Sequence, residues 1–489
     1  MSSNPLKRLA GETAIYGLGT IVPRLLNYFL VPFYTRIFDE NAYGQITELY
    51  AWVAITMVVL TYGMETAFFR FANKEKNPKK VFNTATTSLL ITSLAFIGVV
   101  ALFLKDISTA IKYEGNSEYI IILAIIVAID AFTSLPFAYL RFMNKAKRFS
   151  FIKITSVVVN IFFNFLFLLI IPKALGEDVN DLIIYKNSEL IVFVFIANLL
   201  STITSLLLLA PELKTFKFHI DKLLFNKLLA YGLPILIIGF AGMINEVSDK
   251  ILLKYLLPKD INAQAQIGIY GANYKLAILM ALFIQMFRYA AEPFFFAESD
   301  KKNAKETYSK VMTYFVIFTL FIFLGVTLFI DVFKYFIGPN FWAGLMIVPI
   351  ILAAKLFLGV FYNLSVWYKL TNKTLYGATI AVTGAIITIV LNIILIPEYG
   401  FVGSAWANFF CYLSMMLISF LWGRKVYKVN YQLRKIGAYT LLAVIIFYVS
   451  TIISIEGRFL AFLFNALLLL VYVGIVFISE KQQLKPKKI

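Results

Sequence analysis

The chain has 489 residues, of which 60% are apolar and only 15% are charged, whereas about a quarter of the residues are charged in ordinary soluble domains. This composition excludes a soluble globular protein. The single cysteine, Cys411, and the single histidine, His219, exclude an intramolecular disulfide and disfavour a Cys/His metal site.

The apolar segments predict an all-α integral membrane protein with about 14 transmembrane helices, because each crossing needs about 20 mostly apolar residues. The first segment carries Glu12, Pro23 and Arg24 and has no small-residue cleavage site, which indicates a retained helix and not a signal peptide. In chain order, the predicted spans are 12–35, 44–68, 82–104, 119–141, 152–172, 189–210, 229–256, 267–292, 311–330, 344–368, 375–396, 401–423, 437–454 and 459–479.

The distribution of cations predicts the orientation of these spans. Assigning successive loops to alternate sides, with Arg141, Lys153 and Lys254 at the ends of spans counted with the loops, places 31 Lys and Arg on the side shared by both termini, 9 on the other side and 5 inside spans. Cytoplasmic loops are enriched in Lys and Arg, so both termini are predicted to be cytoplasmic. This topology, with contacts to anionic membrane lipid, accounts for the net charge of +18 without nucleic acid.

The two halves of the chain share short motifs at a nearly constant spacing. Six matches have offsets between 225 and 228 residues, which indicates an ancient duplication. The matched motifs are Leu30-Val31-Pro32 with Leu256-Leu257-Pro258, Tyr43-Gly44 with Tyr270-Gly271, Phe68-Phe69 with Phe294-Phe295, Asn144-Lys145 with Asn372-Lys373, Asn164 with Asn392, and Pro172 with Pro397.

The repeat predicts the domain organisation. Six spans separate equivalent points, so the halves have the same membrane orientation and form two pseudo-symmetric six-helix lobes. The N-lobe covers 1–210, a cytoplasmic linker 211–228, the C-lobe 229–424, and two C-terminal helices with a basic tail 425–489. In transporters of this kind the substrate path lies at the interface between repeats, so this organisation predicts transport.

Ionisable residues within spans are candidates for function, since a charge at the bilayer centre costs about 2.5–3.5 kcal/mol. Arg24 directly follows Pro23 and has no acidic residue three or four positions away, and the repeat aligns it with Lys250. We expect these two cations to lie at similar depth and to face a central anion. The intramembrane charges are Arg24, Glu48, Glu65, Asp130, Glu246, Asp249, Lys250, Lys275, Arg288, Glu292 and Lys355.

Structural alternatives exist for these charges. Glu246 and Lys250 lie four residues apart, as do Arg288 and Glu292, so each couple can neutralise itself on one helix. Arg24 can instead form a structural ion pair with a carboxylate of another span, namely Glu48, Glu65 or Asp130.

Two asparagines lie one turn apart in the fifth span. Asn160 and Asn164 can line a wall that binds sugar, or they can form hydrogen bonds between helices. Both interpretations are open at the level of sequence.

Catalytic motifs are missing from the sequence. It contains no G-x-x-x-x-G-K-[ST], H-E-x-x-H or G-x-S-x-G pattern, and its loops are too short for a folded catalytic domain. We therefore expect neither an enzyme nor a cofactor, with a membrane-embedded glycan-processing enzyme as the less favoured alternative.

Three segments resemble polysaccharide flippases of the multidrug/oligosaccharidyl-lipid/polysaccharide exporter superfamily, a family that includes the O-antigen flippases. The stretch Ile396 to Ala407, IPEYGFVGSAWA, resembles the connection between helices 11 and 12 of that family. The region from Asp249-Lys250-Ile251-Leu252 through Ile269 to Leu276 is similar to its helix 7 and helix 8. The opening from Tyr16-Gly17 to Arg36, with Pro23, Arg24 and Pro32, looks like its first helix.

This resemblance implies a flippase of the bacterial inner membrane. Its substrate would be an undecaprenyl-pyrophosphate-linked oligosaccharide, moved to the periplasmic leaflet for O-antigen, capsule or exopolysaccharide assembly. Family members carry cations in the central cavity, a role that would fall here on Arg24, with Lys250 and Arg288 as further candidates. An arginine suits the bidentate binding of a phosphate.

The alternative from the same superfamily is a cation-coupled multidrug antiporter. Such a protein needs unpaired carboxylates to bind cationic drugs. Asp130 is the strongest candidate for one, and together with Glu65 it can also couple transport to a proton or a sodium ion. The sign of the charge in the substrate cavity distinguishes the two functions.

The predicted topology can be tested with reporter fusions. A reporter fused after Ile489 should report the cytoplasm, and one inserted within 173–187 should report the opposite side, because the loop cations divide 31 to 9. Equal signals from both positions would show that the topology is wrong.

Overall fold

The protein is built of long α-helices. The computed structural model describes residues 17, 19–176, 189–453 and 455–484, and this part of the chain contains no β-strand. Helices are expected because backbone polar groups in hydrocarbon must be satisfied within the segment itself. The predicted start of the first span at 12–16, most of the loop 173–187 and the tail cations Lys485, Lys487 and Lys488 lie outside the described residues.

The helices are labelled after the predicted spans that they contain. They are α1 (19–28 and Leu30–Ile37), α2 (Glu40–Thr61 and Met64–Ala72), α3 (Pro78–Leu102), α4 (Ser117–Phe142), α5 (Ala146–Phe165, continued through a π-turn to Leu175), α6 (Ile191–Leu208), α7 (Lys222–Leu256), α8 (Ala263–Leu276 and Ile278–Glu298), α9 (Ala304–Leu328), α10 (Val348–Leu364 and Val366–Leu370, after a 3₁₀ segment Pro339–Ile347), α11 and α12 (together Thr374–Val426), α13 (Leu433–Ile452) and α14 (Arg458–Leu484).

Twelve helices in the described part of the chain are long and apolar enough to cross a membrane. One of them, Thr374–Val426, has 53 residues and is broken at Gly400, whose φ is 56° and ψ is −137°. At about 1.5 Å per residue it extends roughly 80 Å, more than twice the thickness of the hydrocarbon core, so it has the length for two crossings. The predicted all-α membrane fold is confirmed, and the count of 14 crossings stays a prediction.

The chain packs into two compact units. The N-unit comprises the described parts of Met1–Phe33 and Ile46–Val247, and the C-unit those of Tyr34–Gln45 and Ser248–Ile489. Helix α7 contributes to both units, since the division falls after Val247. The predicted lobes 1–210 and 229–424, the linker 211–228 and the C-terminal segment 425–489 remain a prediction from the repeat.

Each unit has its own apolar core. In the N-unit, Phe68, Phe82 and Leu135 are buried together with Leu228 of α7. The core of the C-unit is formed where α10 packs on α11 and α12, and its buried side chains include Ala354, Phe361, Ile380, Cys411 and Tyr412. In contrast, large apolar side chains at the periphery are exposed, such as Leu102 at 82% and Phe459 at 73%. Contiguous exposed apolar surface of this kind is suited to contact with lipid.

The segment that leads into α7 is attached to the N-unit along α3. Alternate backbone N–H groups between 217 and 221 donate to polar side chains of α3, and Asp221 also accepts from Lys80 Nζ at 2.6 Å. The hydrogen bond from Lys80 lowers the pKa of Asp221. The backbone contacts join Lys217 to Asn83 at 3.1 Å, His219 to Thr87 at 3.1 Å and Asp221 to Thr84 at 3.3 Å.

Backbone geometry supports the internal repeat. Asn144 and Asn372, which the repeat aligns, both adopt left-handed conformations, with φ of 54° and 56°. The aligned Asn164 and Asn392 are both fully buried, and each donates its amide to the carbonyl four residues earlier, at 2.8 and 2.7 Å. The two halves therefore use the same local structures at equivalent positions, as a duplication predicts.

The left-handed asparagines give a test of this equivalence. Asn144→Val and Asn372→Val should each destabilise the protein by about 1–2 kcal/mol, because a β-branched side chain is disfavoured at positive φ. Unfolding curves of the purified protein in detergent measure the effect, and Asn144→Gly and Asn372→Gly serve as controls that should match the native chain. Valine variants as stable as the glycine variants would contradict the assigned conformations.

Candidate functional site

A row of polar side chains on α1 and α5 contains three of the predicted site residues. Asn160 Nδ2 donates to Asn27 Oδ1 at 3.1 Å, and Asn164 Nδ2 donates to Asn160 Oδ1 at 3.2 Å. Arg24 is exposed and lies three residues before Asn27, so the two share one face of α1. We call Arg24, Asn27, Asn160 and Asn164 the polar strip of the N-unit.

The members of the polar strip differ in how much of each side chain is exposed. Asn164 is fully buried, whereas Asn160 is half-buried and Asn27 is exposed. A molecule on the surface of the N-unit can therefore meet Arg24, Asn27 and Asn160, while Asn164 orients Asn160 from behind. Sequence analysis missed Asn27, although its spacing of three residues from Arg24 was a usable signal.

Asp130 of α4 faces donors from neighbouring helices of the N-unit. Asp130 has the Thr202 hydroxyl and the Lys153 ammonium as electrostatic neighbours, and Lys153 Nζ lies 3.8 Å from the centre of the Phe137 ring. Lys153 lies at the edge of the predicted span 152–172 and was omitted from the intramembrane charges. Asp130 therefore has a lysine of the same unit nearby, and its role as the carboxylate of an antiporter stays a prediction.

Two other carboxylates of the N-unit also have partners. Glu65 forms an ion pair with Arg141 of α4. Glu48 is fully buried and accepts from the Tyr113 hydroxyl at 2.8 Å and from Trp52 Nε1 at 3.4 Å. Two of the three carboxylates considered as partners of Arg24 are thus bound by other side chains of the same unit.

Asp249 is the centre of a buried polar cluster in the C-unit. Its carboxylate is 1% exposed and lies 2.9 Å from Lys250 Nζ. The Tyr270 hydroxyl donates to it at 2.6 Å and Asn408 Nδ2 at 3.3 Å. We call Asp249, Lys250, Tyr270 and Asn408 the Asp249 cluster. It contains the predicted cation Lys250 and gives it a neighbouring aspartate as its counter-ion.

A second lysine lies beside this cluster. Lys355 of α10 is 3% exposed, and its Nζ lies 4.9 Å from the centre of the Tyr274 ring. Lys250 Nζ lies 4.3 Å from the same ring. The ring of Tyr274 therefore contacts two ammonium groups, and such cation–π contacts stabilise desolvated cations.

Arg288 of α8 lies apart from the Asp249 cluster in sequence and in its contacts. Its guanidinium lies 4.4 Å from the centre of the Tyr362 ring, in a small cavity that Ser365 also lines. Glu292, the expected partner of Arg288, is bound by Lys369 Nζ at 2.7 Å. Arg288 therefore contacts the ring of Tyr362, while Glu292 is paired with Lys369.

The described residues contain no group of three or more His, Cys, Asp or Glu side chains that could hold a metal ion. The polar strip and the Asp249 cluster are instead built of amides, hydroxyls, single carboxylates and cations. Such groups can bind phosphates, sugar hydroxyls and monovalent ions.

The hydrogen bond from Tyr270 to Asp249 gives a test of the cluster. Tyr270→Phe should destabilise the protein by about 1.5–3 kcal/mol, because the bond reaches a buried charge. The control is Tyr308→Phe, which removes a bond to the Phe295 carbonyl and should cost about 0.5–1.5 kcal/mol. Unfolding curves in detergent and SDS measure both, and a smaller loss for Tyr270→Phe than for the control would contradict the cluster.

Comparison with solved structures identifies the fold. The lipid II flippase MurJ in an inward closed conformation matches 95% of this chain and 99% of its own, with a TM-score of 0.72 and 15% identity. A multidrug resistance MATE family transporter of the MOP superfamily, in an inward-facing conformation, matches 84% of this chain and 97% of its own, with a TM-score of 0.65 and 13% identity.

Sequence comparisons identify the family. Protein 1 of the Lsg locus of Haemophilus influenzae (strain ATCC 51907 / DSM 11121 / KW20 / Rd) is 20% identical over 299 residues, which are 60% of this chain and 67% of that protein. The family model described as polysaccharide biosynthesis protein matches residues 9–298. This match covers more than half of the chain, and the chain therefore belongs to the polysaccharide biosynthesis protein family, with the multi-pass membrane fold of MOP superfamily transporters.

Proposed function

We propose that this chain is a flippase that translocates an undecaprenyl-pyrophosphate-linked oligosaccharide across the bacterial inner membrane. It works by alternating access of the two predicted lobes, with both termini in the cytoplasm, and serves O-antigen, capsule or exopolysaccharide assembly. Membership of the polysaccharide biosynthesis protein family and the fold shared with a lipid II flippase support this proposal.

The observation that carries the proposal is that carboxylates within the spans are bound to cations of the chain, as Glu292 is to Lys369 at 2.7 Å. A transporter that expels cationic drugs needs a carboxylate that is available to the drug. Glu65 and Asp249 are likewise bound to cations of the chain. The arrangement favours an anionic substrate over a cationic one, and a lipid pyrophosphate is such a substrate.

We assign the substrate contacts to the polar strip. Arg24 binds the pyrophosphate, because a guanidinium can donate to two phosphate oxygens at once. Asn160 donates to or accepts from sugar hydroxyls, and the buried Asn164 holds it in place. Lys250 and Arg288 supply further positive charge from the C-unit, and Asp130 and Glu65 are the groups through which a proton or a sodium ion would be coupled.

A cation-coupled multidrug antiporter is the second candidate. It is favoured by the fold that the chain shares with a MATE family transporter. In that case a carboxylate would have to exchange its partner for the drug, and the ion pair of Glu65 with Arg141 is the more accessible one, since 44% of the Glu65 side chain is exposed.

The proposal predicts the effect of Arg24→Ala. Loss of charge-assisted hydrogen bonds to the pyrophosphate should lower surface glycan assembly by roughly tenfold or more, since each bond to a charged group contributes about 1.5–3 kcal/mol. Arg24→Lys should retain part of the activity, because the charge remains while the bidentate geometry is lost. Complementation of a deletion strain, with membrane abundance measured in parallel, provides the test.

A matched control is Arg70→Ala, which removes another arginine of the N-unit whose guanidinium lies 4.1 Å from the centre of the Tyr231 ring. Its activity should remain close to that of the native chain. Full activity of Arg24→Ala at normal abundance would refute the phosphate role. Loss of the variant from the membrane would instead support a structural role for Arg24.

A further inference from the structure

The Asp249 carboxylate accepts four hydrogen bonds, two at each oxygen. Oδ1 accepts from the backbone N–H of Lys250 at 2.8 Å and from Lys250 Nζ at 2.9 Å. Oδ2 accepts from the Tyr270 hydroxyl at 2.6 Å and from Asn408 Nδ2 at 3.3 Å. The ammonium of Lys250 therefore occupies the place beside the carboxylate where a dissolved cation would otherwise bind.

Asn408 provides a second, independent observation. This residue is 1% exposed, its Nδ2 points at Asp249, and its Oδ1 has no hydrogen-bond partner among the described residues. An orphaned buried acceptor is unfavourable. A rotation of the amide about the Cβ–Cγ bond would direct this oxygen toward Asp249, where it could act as a ligand.

We infer that the Asp249 cluster is a site for a monovalent cation that the tethered ammonium of Lys250 fills. Its ligands are oxygens of the Asp249 carboxylate, the Asn408 amide and the Tyr270 hydroxyl, and oxygen ligands are those that hard cations such as Na⁺ prefer. With only one carboxylate in the cluster, a single positive charge neutralises it. Lys250 supplies that charge, and no ion from solution is needed.

Two features keep Lys250 in place against a dissolved ion. Lys250 is the next residue in the chain, so its ammonium has a high effective concentration at the carboxylate. Its Nζ also lies 4.3 Å from the centre of the Tyr274 ring, a contact that stabilises the desolvated charge.

Removal of the ammonium should convert the cluster into a sodium site. We expect purified full-length Lys250→Met in detergent to retain about one radiolabelled Na⁺ per chain, displaced by NaCl and not by choline chloride. Its melting temperature should rise by a few degrees when NaCl replaces choline chloride, since a ligand that binds only the folded state stabilises it. The native chain should show background retention and no sodium-specific shift.

Two variants serve as controls. Lys355→Met removes an equally buried lysine and leaves the pair of Asp249 and Lys250 intact, so it should stay at background. The double variant Asp249→Asn with Lys250→Met lacks the ammonium and also lacks the carboxylate. It should likewise stay at background. Background retention of Na⁺ by a monodisperse Lys250→Met variant would overturn the inference. Retention of Na⁺ by the native chain, if Asp249→Asn abolished it, would also overturn the inference.

The test remains decisive if Lys250→Met cannot be purified in choline chloride. A lone buried carboxylate destabilises a protein, so purification in NaCl should recover the variant if sodium takes the place of the ammonium. Recovery in NaCl supports the site. Recovery only by the added Asp249→Asn change, or no recovery at all, would overturn it.

Discussion

A charge inside hydrocarbon requires a neutralising partner, and this constraint determines how the polar side chains of this protein are arranged. Glu65 and Glu292 are bound by cations of other helices. Asp249 is bound by its own neighbour Lys250 and by side chains of α8 and the α11–α12 region. Each such contact fixes the register of the helices that it joins. Because large apolar side chains are exposed at the periphery, where lipid is expected, these internal polar contacts provide specificity that apolar burial alone does not supply in a membrane.

Composition and the spacing of apolar runs were sufficient to predict the class of fold. They also separated the spans 375–396 and 401–423, and the helix Thr374–Val426 is broken between them, at Gly400. They could not predict that Gly400 is the non-helical residue of this connection, because hydropathy does not report on backbone geometry. The repeat was accessible because it depends on short motifs, and the left-handed Asn144 and Asn372 show why an asparagine recurs there: that residue tolerates positive φ.

The candidate site was only partly accessible from the sequence. Arg24, Asn160 and Asn164 were found from polarity within spans, and two of them are in direct contact. The partners of Asp130 and Asp249 depend on which helices are neighbours, which no single-helix spacing reveals. The expected pair of Arg288 and Glu292 illustrates the limit, since Glu292 binds Lys369 of another helix at 2.7 Å in preference to a residue one turn away.

The sequence holds similar numbers of acidic and basic residues within its spans, which at first argues against a binding surface for an anion. The ion pairs within the structure weaken this argument. Asp249 and Glu65 are each paired with a lysine or arginine of the chain. Arg24, in contrast, is exposed beside amides that suit sugars and phosphates, and Arg288 rests on an aromatic ring. The number of charges in the spans therefore does not give the charge of an exposed surface, because the internal ion pairs have to be subtracted from that number first.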